Sequence, residues 1–146
     1  MFWIYFSSCG GSGDEPIAPE IKAPDVVSLN LPFNNAICED GTNVTTTSSD
    51  VVFTWVASNN TERYELTITN LVTNVVTTKT IAHSTVTTTV NLTRGQPYKW
   101  QITSKSTKTT KTGVSSSNKF YLAGTGITSY AFFLIDNHTL LFILLI

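Results

Sequence analysis

Cysteine is scarce in this chain. Cys9 and Cys38 are the only two in 146 residues, too few for a disulfide scaffold. His83 and His138 are the only histidines, so no Cys/His spacing of a metal site is present. Charge is sparse as well: 13% of residues carry one, and the formal net charge is −1, which gives no reason to expect a nucleic acid partner. The chain lacks a Gly-x-Ser-x-Gly elbow, a phosphate-binding glycine loop and a His-Glu-x-x-His pair. The expectation is therefore a chain that is not an enzyme and needs no cofactor. A helical period is missing too, since no segment repeats its apolar residues every 3.6 positions.

What is present is alternation. Hydrophobic residues make up 41% of the chain and aromatics 11%, enough for the core of one domain. Threonine recurs in Thr-Thr and Val-Thr pairs, a residue suited to a pleated surface with one wet face. Val27, Leu29, Leu31 and Phe33 predict a first strand ending near Pro32. Residues 34–49 read as a polar, turn-rich connection, with Cys38 a loop thiol. Further strands are predicted at 51–56, 64–69, 75–81, 86–92, 98–104 and 118–122. Seven short antiparallel strands joined by turns predict an all-β sandwich.

Three landmarks carry a family resemblance: Trp55 on the second strand, Tyr64-Glu-Leu66-Thr-Ile68 on the third, and Leu92-x-x-Gly95-x-x-Tyr98-x-Trp100-x-Ile102. The spacing resembles a fibronectin type III domain, of immunoglobulin-like architecture, over residues 25–123. The resemblance implies a core containing Trp55, Tyr64, Leu92 and Trp100. It also implies a tyrosine corner in which the Tyr98 hydroxyl bonds upstream backbone near Leu92. Arg94 stands where the family often has proline, which implies a less rigid corner.

The two ends read differently. Met1–Phe6 is apolar, and Ser7-Ser8-Cys9-Gly10 follows it. This resembles a bacterial lipoprotein signal, which implies Cys9 as the lipid attachment site, removal of the peptide before it, and a start upstream of Met1. Residues 1–9 are then a signal and 10–24 a flexible Gly/Pro tether. Its glycines and following acids, Asp14 and Glu15, resemble lipoproteins of the Bacteroidetes type, although the acids come slightly later after Cys9 than in that family. That resemblance implies an outer-membrane location in the cell envelope, with surface exposure and a membrane partner through the lipid. Residues 124–146 form an apolar tail interrupted by Asp136-Asn-His138, too short to span a bilayer. It reads as a truncated or frame-shifted end, with a membrane-contacting or partner-binding tail as the rival.

Charge is asymmetric along the chain: from Leu66 to Ile135 there is no acid, while lysines accumulate up to Lys119. The candidate recognition residues are Lys105, Lys108 and Lys111, in one loop, with Asn59 and Asn60 in a loop at the same end. They suit an anionic glycan or an acidic protein surface. The Asn-x-Thr matches at Asn43, Asn59, Asn91 and Asn137 read as products of Asn and Thr abundance. The leading functional expectation is a non-catalytic, surface-anchored module, a spacer or adhesion domain. The alternatives are a carbohydrate-binding accessory domain and a fragment of a larger secreted enzyme. The carbohydrate reading meets an objection: Trp3 belongs to the signal, and Trp55 and Trp100 read as core, which leaves no tryptophan platform for a sugar.

Overall fold

The computed structural model describes residues 20–124. The expectations for Cys9, His138, residues 1–19 and the tail beyond Gly124 fall outside them. Among the described residues there are nine strands and no helix. They are β1 (Leu29–Leu31), β2 (Ala36–Glu39), β3 (Ser48–Trp55), β4 (Arg63–Asn70), β5 (Val76–Ala82), β6 (Thr87–Thr93), β7 (Gln96–Lys105), β8 (Gly113–Val114) and β9 (Asn118–Leu122). The smaller sheet has the order β1-β3-β6. The larger runs β2-β9-β7-β4-β5, with β8 also paired to β7. The fold is an all-β sandwich.

Alternation in the long strands builds the core. Val51, Phe53 and Trp55 of β3 face Tyr64, Leu66 and Ile68 of β4 and Tyr98, Trp100 and Ile102 of β7, and all nine are buried. The Phe53 ring meets Trp100 edge-on at 5.1 Å and Phe120 at 6.0 Å, while Trp55 meets Tyr64 at 5.5 Å. A buried tryptophan removes roughly 150–250 Å² from water, an upper bound of about 4–6 kcal/mol. Trp100 also donates its Nε1–H to the Pro32 carbonyl at 3.2 Å.

Two short strands go beyond the seven expected. β2 lies inside the stretch read as a loop, so Cys38 is on a strand. Its partner is β9, and this is the one parallel pairing among the described strands. β8 adds two residues beside β7. The first strand is shorter than its alternation predicts. Val27 is buried, but Leu31 and Phe33 are exposed, because the pairing with β3 shifts between Leu29 and Leu31 and the chain turns at Pro32. Downstream of that turn the backbone leaves β3 for β9, so the period-2 pattern no longer refers to one sheet.

Candidate binding surface

The connection after β3, the turn after β5 and the loop after β7 meet at one end of the sandwich, here the loop pole. Tyr64 organises it. Its hydroxyl accepts the Ser58 N–H at 3.0 Å, and its ring stacks on exposed His83 at 6.1 Å. Ser58 Oγ lies 2.8 Å from Thr61 Oγ1 and 3.0 Å from Ser104 Oγ, a buried hydroxyl chain whose members satisfy one another. Glu62 closes the outside: its Oε2 accepts both the backbone N–H and the hydroxyl of Thr107, each at 2.6 Å. The Thr107 hydroxyl, then its N–H, hold the Glu62 carboxyl below its usual range. An open depression of about 550 Å³ lies here, lined by Ile21, Asn59, Asn60, Glu62, His83 and Lys108 among others.

The structure separates the candidate lysines. Lys105 belongs to β7, and its Nζ pairs with Glu65 Oε2 at 2.8 Å on the outer face of the sheet. Lys108 lines the depression beside Glu62, and Lys111 is exposed in the loop. Asn59 donates its side-chain amide to Asp25 Oδ2 at 3.1 Å, and Asn60 takes the left-handed conformation of a turn. The loop is thus knit by internal bonds, and Lys105 and Lys108 have different surroundings. Asn43 and Asn91, like Asn59, give their amides to a carboxylate, in their case the two oxygens of Asp50. Those two amides, Asn43 first, hold the Asp50 carboxyl low.

Residues 20–24, the last of the expected tether, belong to this pole. Pro24 is buried, and Asp25 N donates to Asn59 O at 3.1 Å. Gly113 makes the passage possible, since a Cβ there would come within 2.5 Å of the Asp25 carbonyl oxygen.

The opposite end is the corner pole. The Tyr98 hydroxyl donates to the Thr93 carbonyl at 2.9 Å, one residue from the expected Leu92. Burial pushes the phenol's pKa up. Gly95 supplies the positive φ of the turn. Arg94 does not loosen this corner. Its side chain is 7% exposed and donates to the carbonyls of Asp40 at 3.3 Å and Gly124 at 3.1 Å, with Asp40 Oδ1 3.6 Å away. The guanidinium joins three separate backbone segments, which proline could not do.

The outer face of the larger sheet holds residues that sequence reasoning passed over. Lys99 of β7 stands directly opposite Lys119 of β9, and Thr69 of β4 is in register with Lys99. Tyr121 lies two residues beyond Lys119 on the same face, half-buried. The signal was available: if Phe120 and Leu122 point inward, Tyr121 points outward.

Among the described residues, no three His, Cys, Asp or Glu side chains gather as a metal site would require. No family model and no curated protein matches the sequence. Among solved structures, the chain is similar to an FN3 domain of human collagen XX, at 13% identity over 72% of this chain and 95% of that one, with a TM-score of 0.45.

Proposed function

We propose that this chain is a non-catalytic module of a bacterial cell-envelope lipoprotein, anchored in the outer membrane through lipid on Cys9 and displayed at the surface. The sandwich serves as a spacer or adhesion domain. One observation carries this reading: the path of the chain through the fold. Residues 20–25 lie at the loop pole against Asn59 and Gly113, and Gly124 lies at the corner pole against Gly95 and Arg94. The chain enters at one end and leaves at the other, separated by about 27 Å for an eight-residue strand. A domain threaded in this way adds length in series between whatever flanks it.

The test is metabolic labelling with an alkyne fatty acid in cells expressing the chain from its native locus. Label on the wild type and none on Cys9→Ala, together with removal of the sandwich by protease added to intact cells, is the expected result. An unlabelled wild-type chain in the soluble fraction overturns the reading.

A further inference from the structure

We infer that the outer face of the larger sheet binds an acidic polysaccharide, one bearing carboxylates or sulfates, at a site centred on Lys99 and Lys119. This rests on reading the chain as a binding module and names its ligand class. Register supplies the first argument. Lys99 and Lys119 are direct cross-strand partners, which brings their Cβ atoms to about 5 Å. Like charges so placed oppose folding. Both side chains are half-buried, and neither ammonium has a hydrogen bond or ion pair within the described residues.

Charge balance supplies the second. On this face Arg63, Lys99, Lys105 and Lys119 stand against Glu65, and Glu65 is already held by Lys105. The two central lysines therefore present positive charge that no neighbouring acid answers. The surroundings decide the kind of anion. Thr69 and Gln101 flank Lys99 with a hydroxyl and an amide, groups that suit sugar hydroxyls. The row Val76, Thr69, Lys99, Lys119 crosses four strands, about 14 Å, a flat course suited to an extended chain.

The experiment is calorimetric titration of the purified full chain, in mild detergent, with a heparin hexasaccharide, a hexagalacturonate and a neutral cellohexaose, at low and high salt. Single-stranded DNA is a fourth probe. Binding to at least one acidic oligosaccharide, weakened by salt, is expected. Lys99→Gln/Lys119→Gln should weaken it at least tenfold while raising the melting temperature by about 2 °C, because a repulsion is removed. Opposite movements of binding and stability are not what a merely structural role produces. Lys108→Gln/Lys111→Gln should bind like the wild type. No binding to either acidic oligosaccharide, equal binding to cellohexaose, tighter binding to DNA, or an equal loss in the loop variant overturns the inference. Lipid on Cys9 plays no part in this titration, so its failure leaves the anchored-spacer reading to the labelling experiment, and the reverse also holds.

Discussion

At the loop pole the sandwich is closed by hydroxyls; at the corner pole it is closed by a guanidinium and a phenol. Ser58, Thr61, Ser104 and Tyr64 make a chain of short neutral bonds, in which Ser58 and Thr61 each have a second partner. At the other end Arg94 and Tyr98 each hold backbone carbonyls directly, and no other side chain among the described residues bonds the Gly124 or Thr93 carbonyl. The difference teaches how closure responds to damage. A network of small hydroxyls loses one bond at a time, whereas a single buried arginine joins several segments and loses them together.

That contrast can be broken from the corner pole first. Arg94→Ala is expected to have the largest effect, about 2–3 kcal/mol, from two charge-assisted bonds and the packed stem. Its bridge to Asp40 contributes little of this, since Asp40 is 76% exposed. Urea denaturation measures it, and an unchanged midpoint would refute the role given to the guanidinium. Tyr98→Phe comes next, at about 1–2 kcal/mol, because the Thr93 carbonyl loses its side-chain donor. Ser104→Ala at the loop pole should cost less, about 1 kcal/mol, as Ser58 and Thr61 still bond each other. If Ser104→Ala proved costlier than Arg94→Ala, the comparison of poles would be reversed.

The smallest effect belongs to Glu62→Gln, and it depends on pH. The Glu62 carboxyl titrates low in the folded chain, so its stabilisation is present above its unfolded-state pKa. That stabilisation is lost as pH falls through the lowered folded value. Melting curves of wild type and variant should therefore differ slightly at neutral pH and converge in acid. A gap that persists below pH 3 would show that Thr107 is not held by the charge.

Long strands were legible because their burial is local: Phe53/Trp55, Tyr64/Leu66/Ile68 and Tyr98/Trp100/Ile102 announce an inward face by spacing alone. β2 was not, because its partner β9 lies some eighty residues away and Ala-Ile-Cys-Glu has no alternation to show. Arg94 looked like a loss of rigidity because it stands where the resembled family often has proline; only the approach of Asp40 and Gly124 gives it a task. The lysines make the sharpest case. Lys105, Lys108 and Lys111 are neighbours in sequence, yet Lys105 is held by Glu65 on the sheet while Lys108 lines the depression. Lys99 and Lys119 are twenty residues apart and meet through the register of β7 and β9.

The parallel pairing of β2 with β9 has a mechanical consequence. The chain reaches β2 from the loop pole and leaves β9 toward the corner pole, and the two strands run side by side in the same direction. Tension on the ends of the sandwich pulls these strands past each other, so their hydrogen bonds resist in shear and give way as a group. A module stretched between an anchored end and a tethered load would then hold until a sharp force threshold, with its lifetime under load set by the unfolding rate. Single-molecule pulling from residues 20 and 124 should show one abrupt rupture, and a gradual, stepwise lengthening would contradict it.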